Sequence, residues 1–297
     1  LVENLIKCVI YGDILQKMLT KNRAYEVNKG ETKALFDKWM EKCKQLVAKS
    51  TMKEFKQNIY NMVEDFEKIE LDTSVEKPKV GIVGEVLIKY HPFGDKLEAE
   101  GAEVILPDFM GFIKFIATHK ITFNQLIKTD ATKAKIFKLA IKLIEILEKD
   151  ERIALENSKK GYLLPCDIFK LEENVKGILS IGNQTGEGWF LTAEMVEYIE
   201  HGIPNIVCVQ PFACLPNHVV GKGVIKTIRD TYPEANISAI DYDPGASEAN
   251  QTNRIKLLMA VAKDNLKTKN NSKKAIEKEN AHLSSENNLK GKEKAKK

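Results

Sequence analysis

The chain has little cysteine: five residues in 297, at positions 8, 43, 166, 208 and 214. An odd number at irregular spacing is not a disulfide framework and points to a reducing, cytoplasmic setting. Long apolar runs are missing too. Nothing approaches the roughly 20 residues needed to cross a bilayer, and no secretory leader pattern is present, so no membrane role is expected. The chain begins at Leu1 rather than Met and is expected to be a piece of a longer polypeptide. A Walker phosphate loop, the dinucleotide glycine fingerprint and a closed zinc-ligand spacing are all absent.

What is present suits a globular body. With 43% hydrophobic residues, the length bounds the chain to one large or two modest domains. The net charge of +4 is unevenly spread. From residue 265 onward there are ten lysines and four glutamates, so the preceding residues carry a net −2. That balance excludes a basic nucleic-acid-binding body. The Lys/Asn/Ser/Glu segment 266–297, almost without apolar residues, reads as a disordered, solubilising tail.

The organisation reads as α/β. Residues 1–76 hold helical patterning, with Phe36, Trp39 and Met40 and then Phe55, Ile59, Met62, Val63 and Phe66 on apolar faces, packing on the core. From 77 to 265 the spacing predicts a five-stranded parallel, doubly wound sheet. Its strands lie at 79–84, 103–106, 178–181, 205–209 and 236–240, with helices at 93–100, 191–200, 216–232 and 248–262. A helical insertion over about 109–176 carries one clear amphipathic helix. Ile136, Leu139, Ala140, Leu143 and Leu147 are expected on its packed side, and Lys135, Lys138, Lys142 and Lys149 on the other.

A sheet of this kind collects its chemistry at the carboxyl ends of its strands. Glu85 follows the first strand. Gly182, Gly186 and Gly188 follow the third, ahead of a helix whose cap is expected at Thr192, and could cradle a phosphate or simply turn the chain. Glu187 within that loop is an acid/base candidate. Asp241 and Asp243 end the last strand, where Asp243 reads as turn chemistry and Ser247 as a helix cap. Cys208 alternates into a strand as a small core residue. Cys214 stands at the mouth of a helix starting at Pro216, where a thiolate is favoured as nucleophile or metal ligand. His218, one turn on, makes a Cys–His pair conceivable.

The run GNQTGEGWFLTAEMVEYIEHGIPNIVCVQPFACLPNHVVGKGVIKTIRDTYPEANISAIDYDPGASEANQTNRIKLLMAVA resembles the C-terminal region of the CoA-substrate-specific enzyme activase-related proteins of anaerobic bacteria. The resemblance extends upstream through KPKVGIVGEVLIKYHPFGDKLEAEGAEVILPDF and, more loosely, YGDILQKMLTKNRAYEVNKG. More remotely, the closing order, with Gln251 and Arg254 on the last helix, is similar to subunits of 2-hydroxyacyl-CoA dehydratases and benzoyl-CoA reductases. The resemblance implies an iron–sulfur cluster of the four-iron, four-sulfur type, with Cys214 and Cys208 as ligands and Cys166 as a third only if the fold delivers it. It also implies an ATPase activator as partner, an acyl-CoA as possible ligand, and a possible oligomer. Glu85, Glu187 and Asp241 would line the cleft. Where a dehydratase subunit has a cysteine after the first strand, this chain has Gly84-Glu85-Val86. A module that keeps the fold without a cluster, holding a nucleotide-like or CoA ligand on the glycine loop, is the alternative.

Overall fold

The structure, a computed structural model, describes residues 2–90, 93–242, 245 and 248–294, with side chains as far as residue 271 apart from that of residue 93. Three helices lead: α1 (Val2–Tyr25), α2 (Glu31–Leu46) and α3 (Met52–Glu67). α3 shows how its sequence starts a helix. The Thr51 hydroxyl accepts from the Glu54 amide while the Glu54 carboxylate accepts from the Thr51 amide. Its apolar face, Phe55, Ile59, Met62, Val63 and Phe66, is buried.

The sheet has four strands: β1 (Lys79–Gly84), β2 (Glu103–Ile105), β3 (Asn205–Pro211) and β4 (Asn236–Tyr242). All pair in parallel, in the order β2-β1-β3-β4. The expected strand at 178–181 does not form. That run is a chain of turns, with the Ile178 and Leu179 amides both bonded to the Val175 carbonyl. It is four residues long and bounded by Gly177, at φ 86°, and Gly182. Its apolar side chains pack beside the helices instead of a ladder, and β3 takes the place beside β1.

Between the strands lie α4 (Val86–Lys89), α5 (Phe93–Ala99), α6 (Phe109–Ile127), α7 (Ala131–Glu156), α8 (Ile168–Asn174) and α9 (Gly188–Glu200). A π-helix (Asn217–Lys222) and α10 (Ile225–Thr231) replace the single helix expected at 216–232. One sheet face packs on α9, the π-helix and α10 through Leu191, Met195, Tyr198, Val220 and Ile228. The other packs on α5 and α11 (Glu248–Lys294) through Leu97, Ile255, Leu258 and Met259. Helices on both faces make the unit doubly wound. α11 carries helical backbone through the segment whose composition suggests disorder, because Lys, Glu, Ala and Leu are strong helix formers even without an apolar stripe.

α1, α2 and α3 share one core with α6, α7 and Tyr162. Charges are buried along this junction. Lys17 pairs with Asp108 at 2.7 Å and with Glu151 at 3.4 Å, and Lys114 pairs with Glu148 at 2.8 Å. Asp13 accepts from the Phe109 and Met110 amides, both at 2.9 Å, and so closes the start of α6 from another helix. On α7 the packed face is Ala134, Ile141, Ile144 and Leu155, whereas Ile136, Leu139 and Leu143, expected to be packed, face outward. The helix is apolar on two opposite faces, and periodicity alone does not say which one the core takes.

Candidate functional site at the carboxyl edge of the sheet

β1 connects outward to β2, and the chain then returns to the other side of β1 as β3. The carboxyl ends of β1 and β3 therefore form the switch point where open α/β sheets bind ligands. The strands approach closely there. Gly84 has φ 130°, and a Cβ on it would meet the Val209 carbonyl oxygen at 1.9 Å, so only glycine fits.

Two rare backbone features stand at the end of β3. Ala213 holds φ 60°, a left-handed conformation uncommon for a residue with a side chain. The following helix opens as a π-helix. Such features concentrate at functional sites. Here they aim Asn217, His218 and Lys222 at the edge while Gly221 lies against Leu191 and the Cys208 sulfur.

Glu85 and Glu187 come together at the inner part of the edge. Glu85 caps α4: its Oε2 accepts from the Leu87 and Ile88 amides at 3.0 and 2.9 Å. Glu187, 6% exposed, accepts from the Val86 amide at 3.2 Å. Asn217 is fully buried between them. With its nitrogen toward Glu187 Oε2 (2.6 Å) and its oxygen toward the Glu85 amide (2.9 Å), both groups are satisfied. Burial raises the Glu187 carboxyl above its usual range, and the charge of Glu85 adds to the rise. These two carboxylates tie β1, α9 and the π-helix into one corner.

The outer part is different. Gln210 and Asp241 are paired across β3 and β4, and the Gln210 amide nitrogen donates to Asp241 Oδ1. His218 Nδ1 is 2.8 Å from the Cys214 carbonyl oxygen, which only accepts, so Nδ1 carries the hydrogen of the neutral ring and Nε2 presents a lone pair. That Nε2 is 3.7 Å from Asp241 Oδ1 and 3.3 Å from the Gln210 amide nitrogen. The side chains of His218 and Asp241 are each about a third exposed, 31% and 32%, and Lys222 Nζ approaches Asp241 Oδ2 at 3.9 Å. Leu87, Phe212, Leu215 and Val219 form an exposed apolar rim. A cavity of about 160 Å³ on the far side of β2, lined by Lys17, Lys21, Glu103, Tyr162 and His201, takes in none of these residues.

The glycine loop serves the turn. Gly186 (φ 62°) lets Pro216 pack against it, and at Gly188 (φ 51°) a Cβ would meet the Asn183 carbonyl oxygen at 2.3 Å. The Gly188 and Trp189 amides are spent on Thr185 and Asn183, and Gly182 bonds Ser180. The cap of α9 falls at Glu187, not at Thr192, whose buried hydroxyl bonds the Val220 carbonyl at 2.6 Å. Asp243 and Ser247 lie outside the described residues.

The two cysteines of β3 and its turn part ways. Cys208 is completely buried in an apolar cluster, and burial pushes its thiol up to about 12. Cys214 is partly exposed at the edge. Cys166, wedged against Gly111 and Phe190 and with its thiol held protonated by burial, lies in a separate core. Among the described residues no group of three or more His, Cys, Asp or Glu side chains is arranged to hold a metal ion. A four-iron cluster needs several thiolates at one point, and among the described residues Cys214 is the one cysteine at the edge, so these residues by themselves do not supply a ligand set for the cluster.

Sequence reasoning passed over Lys222 and Asn217, and it saw Gln210 only as a neighbour of the cysteines. Their signal was present: Gln210, Asn217, His218 and Lys222 are polar side chains in an otherwise apolar segment at the end of a buried strand. No protein-family model matches the chain, and no curated protein or solved structure matches it either.

Proposed function

We propose that the chain is a substrate-handling module of the ATP-driven 2-hydroxyacyl-CoA dehydratase and acyl-CoA reductase activation system, binding the acyl end of an acyl-CoA at the carboxyl edge of the sheet. It works beside an ATPase activator that supplies the hydrolysis. The observation that carries this reading is the His218–Asp241 pair. A lone pair and a carboxylate oxygen stand 3.7 Å apart, partly open to solvent, at the end of paired strands. A 2-hydroxyl donates to Asp241 or to the His218 Nε2 lone pair. The apolar rim of Leu87, Phe212, Leu215 and Val219 receives the acyl chain. The acidic balance of Glu85, Glu187 and Asp241 repels the phosphates of CoA, so the nucleotide end lies away from this corner. The family resemblance of the segment 182–262 supports the same system.

The test is calorimetric titration with a 2-hydroxyacyl-CoA, the acyl-CoA lacking the hydroxyl, and free CoA. Affinity is expected to fall in that order. Asp241→Asn should weaken the hydroxyacyl ligand alone by roughly 10-fold or more, the worth of a hydrogen bond to a charged group. Equal binding of free CoA and the thioesters would overturn the proposal. Anaerobic reconstitution with iron and sulfide runs in parallel. Stoichiometric iron that Cys214→Ser loses would assign the edge to a cluster instead.

A further inference from the structure

The insertion hairpin carries a second surface, unconnected with the carboxyl edge. Both of its helices are apolar on the side turned away from the core. On α7, Ile136, Leu139, Leu143 and Ile146 are between 53% and 60% exposed and recur at spacings of three and four. They lie opposite the packed residues Ala134, Ile141 and Glu148. On α6, Ile116, Phe123, Leu126 and Ile127 are between 41% and 65% exposed, opposite the packed Lys114, Thr118 and Ile121. The exposed residues span 116–127 on α6 and 136–146 on α7, about 17 Å at 1.5 Å per residue, and two adjacent helices each about 10 Å wide then offer an apolar face of roughly 350 Å². That is within the range of the largest patch on a monomer, where such patches are often functional.

The charges in the column that flanks the α7 stripe are of one sign. Lys135, Lys142 and Lys149 recur every seven residues along one flank of the α7 stripe, with Lys138 next to them. All four are exposed, and none makes an ion pair among the described residues. In heptad terms the stripe occupies the a and d positions and the three lysines occupy g. α6 has no acidic residue at all. A second copy related by a two-fold axis would bring one lysine column against the other, with no acidic column to meet it. Charge complementarity selects a different occupant.

We propose that the α6–α7 hairpin docks an amphipathic helix of a partner, apolar at heptad a and d positions and carrying glutamates in register with Lys135, Lys142 and Lys149. The apolar stripe supplies the burial, and the lysine column fixes the orientation and the choice of partner.

The probe is a synthetic four-heptad peptide with Ile and Leu at a and d and Glu at e and g, labelled and titrated with the full chain by fluorescence anisotropy. A control peptide has Lys in place of Glu. The Glu peptide is expected to bind at least about tenfold tighter than the Lys peptide, with the difference shrinking as salt rises. The combined Lys135→Glu, Lys142→Glu and Lys149→Glu variant should reverse the preference. Leu139→Asp with Leu143→Asp should abolish binding of either peptide while leaving the circular dichroism spectrum unchanged, since both side chains are exposed. Failure of the Glu peptide to bind, or equal binding of both peptides, would overturn the proposal. So would self-association of the chain in sedimentation that Leu143→Asp disperses, or binding to anionic phospholipid vesicles in place of the peptide.

Discussion

Cys208 and Cys214 are six residues apart and belong to different environments. Cys208 lies in the middle of β3 on the face covered by the π-helix, where Gly221 leaves just enough room for its sulfur: a Cβ there would stand 2.9 Å from Sγ and 3.2 Å from Leu191. Gly221→Ala is expected to destabilise the fold by about 1–3 kcal/mol through overpacking. Cys208→Ala should recover part of that loss, because it removes the atom the new methyl meets. Urea unfolding of the two single variants and the double variant measures this coupling, and strictly additive effects would contradict the described packing. The sequence made Cys208 legible as a core residue through strand alternation, and Cys214 legible as an edge residue through its place before Pro216. It did not separate Glu85 and Glu187, which bind backbone amides, from Asp241, which faces outward. A carboxylate's role depends on which amides the fold brings to it.

At the scale of elements, the strands were legible wherever a β-branched run had a paired neighbour. The run 178–181 has the same composition and no neighbour, so its amides close turns instead. The π-helix was not legible, since no short pattern announces an extra residue in a turn. Buried ion pairs were hidden for a related reason. Lys89 on α4 and Glu194 on α9 are 105 positions apart in sequence yet 2.9 Å apart in space, exposed by only 0% and 2%. Burial raises the Glu194 carboxyl and Lys89 opposes the rise. Removing one partner strands a buried charge. Lys89→Met alone should therefore cost about 3–5 kcal/mol, while Lys89→Met with Glu194→Leu should cost far less. Thermal unfolding distinguishes the two cases, and equal losses would show that the pair itself, not the stranded charge, sets the stability.

The whole molecule is joined by charge as well as by its apolar core. Glu197 on α9 lies in the junction near Asp108 and Glu194. Burial first, and then the charges of those two neighbours, raise its carboxyl from 4.5 to about 7. The folded chain therefore binds more protons than the unfolded chain between those values. Its contribution to stability is full below about pH 4.5 and is lost as the pH rises through 7, at up to about 1.4 kcal/mol per pH unit. Glu197→Gln should flatten the fall in melting temperature between pH 5 and 7, and an unchanged slope would place the titration elsewhere. The described residues include no helix long and apolar enough to cross a membrane.

The central claim is that ligand binds at the carboxyl edge, and Cys214 reports on that edge directly. The decisive measurement is the rate of iodoacetamide alkylation at each cysteine, read by peptide mass spectrometry with and without a saturating 2-hydroxyacyl-CoA. Cys214 is predicted to react in the free chain and to slow by about tenfold or more on ligand addition. Cys208 should stay unmodified in both states until the chain is unfolded. An unchanged Cys214 rate under saturating ligand, or protection at Cys8 instead, would contradict the assignment.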